Sequence, residues 1–281
     1  MTYEDFESQL NRSATIINDQ EDLHATLKLV QYVIEFSAES TPHNGKFANS
    51  TAALASLTRA FHDAQGIMHL ATFHHYVQAL ALLRSMYEAA NLSRTLAHSP
   101  KSAEKWINGR WQSDQRTRQF VRDVMYADSE DKDKEEAVQA YENVYKLYSK
   151  WTHITPTSAF EPYLTDVPEG GYRVQLFPKF DEARLRFVLE GLTKESIVLA
   201  FAARNCLSAL EVLPEWWHRD LEKIKMRVMG DDYEPSNIEW EGHQERHDRL
   251  LKNLQPISIL DRHLRRDPDS IQNRMHRGPD N

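Results

Sequence analysis

The sequence has little glycine and almost no cysteine. Its nine glycines, like its prolines, fall mostly between segments of helical periodicity, a pattern typical of an α-helical protein. The single cysteine, Cys206, excludes an intramolecular disulfide and a metal cluster held by cysteines. Because it stands among alanines and leucines, we expect a small buried side chain there rather than a catalytic thiol.

The sequence also lacks a long apolar run and a basic leader. No stretch approaches the ~18 apolar residues that cross a bilayer, and the first residues are acidic where a signal peptide is basic and then apolar. These absences predict a cytoplasmic protein without a membrane span. The net charge of −8 argues against the whole chain binding a polyanion.

The end of the chain differs in charge from the rest. Residues 246–281 carry more basic than acidic side chains, which suits a nucleic-acid contact, but interleaved aspartates favour a solvated and partly disordered tail. We therefore predict a helical-bundle domain over residues 1–229 and a polar C-terminal extension over residues 230–281.

Apolar residues recur with helical spacing along most of the first domain, and the predicted fold is mainly α, a bundle of about six to eight helices. The predicted helices cover residues 19–39, 49–97, 101–126, the region after residue 136, and 181–213. A kink or break is expected at Gly66, and Ser99-Pro100 is the start signal of the third helix. Residues 128–136 are predicted to form a solvated loop before the fourth. One β-hairpin insertion is expected at about residues 160–177, where apolar and polar residues alternate around two glycines.

Two charged residues stand in the most apolar stretch of the chain. Arg84 and Glu88 lie four residues apart within residues 76–90, where a helix buried on most sides should carry no charge. A buried charge costs on the order of several kcal/mol unless it is paired and hydrogen-bonded. An exposed i, i+4 pair with arginine first contributes only about a few tenths of a kcal/mol. We therefore expect other groups to complete the pair.

A later helix offers those groups. Tyr145, Ser149 and His153 recur at i, i+4 and i+8 and so share one face. His153 stands where this helix should end, because Pro156 follows closely. The last carbonyls of a helix favour a protonated imidazole, which makes His153 a candidate acid or a second contact for an anion.

The arginine pair has a functional and a structural interpretation. In the first, Arg84 binds a phosphate or carboxylate with its planar guanidinium, and Glu88 orients that group. In the second, the pair is a salt bridge that fixes the register of the bundle, and His153 caps its own helix. The sequence leaves both open.

Some histidine patterns have the spacing of metal sites. Glu239, His243 and His247 fall at i, i+4 and i+8. A di-iron carboxylate bundle would combine two Glu-x-x-His motifs with two further glutamates, which here would be Glu21 to His24, Glu215 to His218, Glu35 and Glu88. Such matches arise by chance in a chain rich in glutamate and histidine, so we predict no metal or other cofactor.

The two polar helices resemble a loosely defined group of bacterial helical proteins. In that group an Arg-x-x-x-Glu helix is followed some tens of residues later by Tyr-x-x-Leu-Ser and then a histidine. The matching positions here are Arg84, Glu88, Tyr145, Ser149 and His153, with Tyr148 in place of the leucine. The resemblance covers about residues 52–156. It implies a helical bundle with a shared polar centre and no particular activity, because the group has no established one.

The predicted bundle has at most a general resemblance to the HEPN class of helical proteins. Helical ribonucleases of the HEPN class carry an arginine, four to six further residues and then a histidine. No arginine of this chain has a histidine at that spacing; Arg94 and His98 are separated by three residues. An equivalent site would need Arg84 and His153 to meet in space.

Three classes of function fit these residues, and whether the protein is an enzyme stays open. The leading hypothesis is a bacterial binding or regulatory protein whose Arg/Glu/His site takes an anionic ligand, a nucleic acid or a partner protein. The enzyme alternative is metal-independent, ribonuclease-like phosphoester cleavage of a toxin or phage-defence type, with Arg84 stabilising charge and His153 as general acid or base. The third is a structural subunit or homo-oligomer that uses an aromatic surface formed by Trp106, Trp111, Trp216 and Trp217.

Overall fold

A computed structural model describes residues 3–40, 48–110, 113–126, 128–152, 164–166, 172–174, 178–206 and 213–230. Within these ranges the chain forms nine α-helices, a π-helical turn and two short strands. The helices are α1 (Tyr3–Asn18), α2 (Glu21–Ser40), α3 (Ala48–Thr72), α4 (Tyr76–His98), α5 (Pro100–Ile107), α6 (Ser113–Phe120), α7 (Asp131–Thr152), α8 (Glu182–Cys206) and α9 (Glu215–Met229). The π turn, Val121–Met125, continues α6. No helix in these ranges is both long enough and apolar enough to cross a membrane.

Helix α4 is the centre of the fold. It runs antiparallel to α3, since Ser56 donates a hydrogen bond to the carbonyl of Ala89 (2.9 Å) and Asn49 donates to the carbonyl of Ala97 (3.0 Å). Side chains are buried around most of its circumference, and it also contacts α5, α6, α7 and α8. Arg84 and Glu88 lie on this helix, and α7, which carries Tyr145 and Ser149, packs against it.

The break between α3 and α4 falls at residues 73–75 and not at the predicted Gly66. His74 adopts a left-handed backbone conformation with φ of 65°, which reverses the chain. Gly66 lies inside α3, where a Cβ atom would stand only 2.9 Å from Cδ2 of Leu82. The glycine thus serves the close approach of the two helices.

The helix predicted to follow Ser99 begins there but ends early. The Ser99 hydroxyl accepts a hydrogen bond from the amide of Ser102 (3.2 Å), which caps α5. At the other end, Gly109 has φ of 67°, and the amide of Arg110 donates to the carbonyl of Lys105 (2.8 Å). This glycine-based helix ending divides the predicted helix into α5 and α6.

Two further boundaries differ from the predictions. Helix α1 was not predicted, and α7 begins at Asp131, inside the segment predicted to be a solvated loop. Asp131 and Asp133 occupy its first turn, where acidic side chains interact favourably with the exposed amides of a helix N-terminus. An acidic run is therefore as compatible with a helix start as with a loop.

The predicted hairpin region contains two paired three-residue strands. Strand β1 (Leu164–Asp166) is antiparallel to β2 (Tyr172–Val174), with Thr165 opposite Arg173. The residues that connect them lie outside the described ranges, as does the predicted C-terminal extension apart from Gly230. The fold in the described ranges is thus mainly helical.

One tryptophan predicted to lie on the surface belongs to the core. Trp217 is fully buried, and its Nε1 donates to the carbonyl of Leu29 (2.9 Å). Its neighbour Trp216 is 42% exposed and packs edge-on against Tyr32, with ring centroids 5.4 Å apart. Trp106 is half-buried, and the remaining residue of the predicted surface, Trp111, lies outside the described ranges.

The adjacent tryptophans allow a matched test of this arrangement. Trp217→Ala should lower the free energy of unfolding by about 3 to 5 kcal/mol, because it leaves a cavity and removes a buried hydrogen bond. Trp216→Ala should cost about 1 kcal/mol or less. Urea unfolding of both purified variants would measure the difference, and equal losses would contradict the assignment of Trp217 to the core.

Candidate functional site

Among the described residues, Glu88 and Tyr145 both hold Arg84 in position. Its Nε donates to Oε1 of Glu88 at 2.8 Å, within α4. Its Nη2 donates to the hydroxyl of Tyr145 on α7, and its Cζ lies 4.4 Å from the centre of the Tyr145 ring. Hydrogen bonding and cation–π attraction therefore act on the same guanidinium.

The pair lies at the edge of the α4 and α7 interface and not deep in the interior. The Arg84 side chain is 14% exposed and that of Glu88 is 37% exposed. Solvent therefore reaches both charges, so the cost of burying them is smaller than the apolar sequence suggested.

The two remaining predicted residues stand differently. The Ser149 hydroxyl donates to the carbonyl of Tyr145 (2.6 Å), a bond within its own helix, and among the described residues it makes no bond to Arg84 or Glu88. His153 lies outside the described ranges, and its role stays a prediction. The structure thus brings together three of the five predicted side chains.

A second arginine on α3 has a similar local arrangement. Nε of Arg59 donates to Asp63 at 2.8 Å, and the hydroxyl of Ser85 donates to the other oxygen of that carboxylate at 2.6 Å. The Arg59 side chain is 63% exposed, with its carboxylate partner buried. This pair has the spacing of Arg84 and Glu88 without the tyrosine, which makes it a useful internal control.

The sequence reasoning missed a buried polar cluster between α4, α7 and α8. Glu195 of α8 is buried, and its Oε1 accepts a hydrogen bond from the hydroxyl of Tyr148 on α7 (2.7 Å). The buried Arg94 of α4 donates to the carbonyl of Val198 (3.1 Å) and acts electrostatically on the Glu195 carboxyl. The cluster joins the three helices in the interior.

The environment of Glu195 favours its neutral form. Burial raises its pKa from 4.5 to about 7, and this effect exceeds the opposing effects of the Tyr148 hydrogen bond and the charge of Arg94. Its Oε2 is buried and has no hydrogen-bond partner among the described residues. Perturbed carboxyl groups of this kind occur at functional sites, although structural networks also produce them.

The signal for Glu195 was present in the sequence. Leu185, Val188 and Leu192 form a buried stripe on α8, and Glu195 continues it at the next helical step, before Leu199. The criterion that identified Arg84, a charge on an apolar face, therefore also identifies Glu195.

No group of three potential metal-ligand side chains converges in the described part of the chain. His24 Nε2 lies 3.0 Å from the carbonyl of Ile17, within hydrogen-bond distance, and His218 packs edge-on against the ring of Trp217. The Glu239, His243 and His247 pattern lies outside the described ranges.

Together these features define a mainly helical protein with a partly exposed Arg–Glu–Tyr cluster and a buried carboxyl. No protein-family model matches the chain, and neither a curated protein nor a solved structure matches it.

The raised pKa of Glu195 predicts a pH-dependent stability. The folded state retains a proton that the unfolded chain releases above about pH 4.5, so this stabilisation is complete below that pH and is lost as the pH rises through about 7. Relative to Glu195→Gln, the wild type should lose about 3 kcal/mol of unfolding free energy over this range.

Urea unfolding from about pH 4.5 to about pH 8 would measure this loss. Glu190→Gln is the control, because Glu190 is on the same helix in an exposed ion pair with Lys194. A difference between wild type and Glu195→Gln that did not vary with pH would show that Glu195 titrates normally.

Proposed function

We propose that this protein binds an anionic ligand, a phosphate or a carboxylate, through Arg84. The observation that carries the proposal is the fixed orientation of a partly exposed guanidinium, held by Glu88 along one edge and by Tyr145 across its face. A preoriented arginine loses less conformational entropy when it binds an oxyanion than a mobile one does.

The setting of Arg84 also supports a binding role over a purely structural one. A salt bridge between these two residues alone contributes little to stability when Glu88 is more than one third exposed. Tyr145 adds a contact from another helix, so Arg84 is positioned relative to α7 as well as to α4. That degree of positioning suits a residue with a ligand to recognise.

The ribonuclease hypothesis depends on His153, which lies outside the described ranges. The structural-subunit hypothesis loses part of its surface, because Trp217 is buried. Both hypotheses are therefore outcomes to be distinguished by experiment, and binding is the function that we propose.

Substitution of Arg84 by lysine tests the proposal. Arg84→Lys keeps the positive charge but removes the planar group that binds two oxygens, so affinity should fall about tenfold or more. Arg59→Lys, the matched control on α3, should leave affinity unchanged. Calorimetry with inorganic phosphate and succinate, and fluorescence polarisation with a labelled single-stranded RNA, would measure binding to the full chain.

The same titrations separate the alternatives. RNA cleavage in the presence of a chelator, lost in both Arg84→Lys and His153→Ala, would favour the enzyme over the binding protein. If circular dichroism showed that Arg84→Lys no longer folds, the pair of Arg84 and Glu88 would have a structural role. If the wild type bound none of the three probes, or both lysine variants lost affinity equally, the proposal would be wrong.

A further inference from the structure

Helix α7 connects the partly exposed site to the buried carboxyl. Tyr145 accepts the hydrogen bond from Arg84, and Tyr148, one helical turn later, donates to Glu195. Both tyrosines extend from the same helix, so a displacement of α7 that disturbs one contact also disturbs the other. The two clusters are therefore mechanically coupled through one short segment.

Ionisation of Glu195 would place a charge in this interior that Tyr148 and Arg94 stabilise only in part, because burial outweighs both of them. Its Oε1 has the Tyr148 hydrogen bond, but its Oε2 is buried without a hydrogen-bond partner in the described part of the chain. A neutral carboxyl in that position costs far less than a carboxylate, which requires water or a closer cation. Ionisation therefore favours an opening of the surrounding helices.

The ionisable groups that act on Glu195 come from two helices. In the described ranges these are Tyr148 of α7 and Arg94 of α4. On α8 itself, the nearby Glu190 and Lys194 pair with each other at 2.7 Å. Burial raises the pKa of Glu195 to about 7, so its ionisation occurs near neutral pH.

Of the two helices that meet at Glu195, α7 has the fewer neighbours in the described part of the chain. Helix α8, which carries Glu195, contacts α1, α2, α3, α4 and α9, whereas the main contacts of α7 are with α4 and the π turn. Movement of α8 would disrupt most of the core. Movement of α7 would admit water to Glu195 at a smaller cost in buried apolar surface.

We propose that ionisation of Glu195 loosens the packing of α7 and releases Tyr145 from Arg84, so that the Arg84 site is assembled when Glu195 is protonated and weakened when it is charged. The effect on ligand affinity rests on the proposed anion-binding function. The effect on α7 does not, and it can be measured on the free protein.

Hydrogen exchange of the full chain without ligand is the primary test. After correction for intrinsic exchange rates, protection of α7 amides in the wild type should fall about tenfold or more between about pH 5.5 and about pH 8.5. Glu195→Gln should keep α7 protected at both values. Glu190→Gln, the exposed control on the same helix, should behave as the wild type does.

A second variant keeps the test decisive if Glu195→Gln does not fold. Tyr148→Phe removes the hydrogen bond that lowers the Glu195 pKa, so the pH at which α7 loosens should move upward. Protection of α7 that does not depend on pH in the wild type would overturn the inference. So would a transition unaffected by both variants.

The ligand experiment separates this inference from the binding proposal. Phosphate affinity should be at least about tenfold weaker at about pH 8.5 than at about pH 5.5 in the wild type and less dependent on pH in Glu195→Gln. If α7 loosens as expected but phosphate, succinate and RNA fail to bind, the binding proposal fails and the conformational inference stands. If a probe binds through Arg84 while α7 stays closed at all pH values, the conformational inference fails and the binding proposal stands.

Discussion

The packing of this protein depends on finding partners for the arginines of an apolar central helix. Arg84 and Arg94 both belong to α4, where most neighbouring side chains are buried and hydrophobic. Their hydrogen bonds reach Tyr145 on α7 and the carbonyl of Val198 on α8. Because an unpaired guanidinium is costly where it is buried, as Arg94 is, the bond to Val198 restricts where α8 can lie against α4, and the bond from the more exposed Arg84 adds a contact with α7.

Aromatic side chains also pack between α4 and α7. Tyr87 of α4 stacks on Tyr141 (centroids 5.5 Å apart) and lies edge-on to Tyr148 (6.2 Å), both on α7. These ring contacts add apolar packing between α4 and α7. The partly exposed charge pair and the buried carboxyl are linked through Tyr145 and Tyr148, one helical turn apart on α7.

Local chemistry predicted several features, and tertiary contacts decided the others. The helix start at Ser99 and the meeting of Arg84 with Tyr145 followed from capping preference and from the cost of a charge on an apolar face. The break at His74 and the role of Gly66 did not, because a left-handed histidine and a close helix approach depend on what packs nearby. Ser149 shared a face with Tyr145 as expected, yet its hydroxyl bonds to a carbonyl of its own helix. Helical spacing alone cannot tell whether a serine hydroxyl will bond to its own backbone or to a side chain of another helix.

The tight reversal at His74 has a consequence for how the chain folds. It joins α3 and α4, two of the longest helices, through three residues, so the largest helix pair of the core forms with little loop-closure entropy. Contacts that are local in sequence assemble fastest. We therefore expect the α3–α4 hairpin to form early and to present Arg84 and Arg94 before α7 and α8, which are more distant in sequence, arrive to satisfy them.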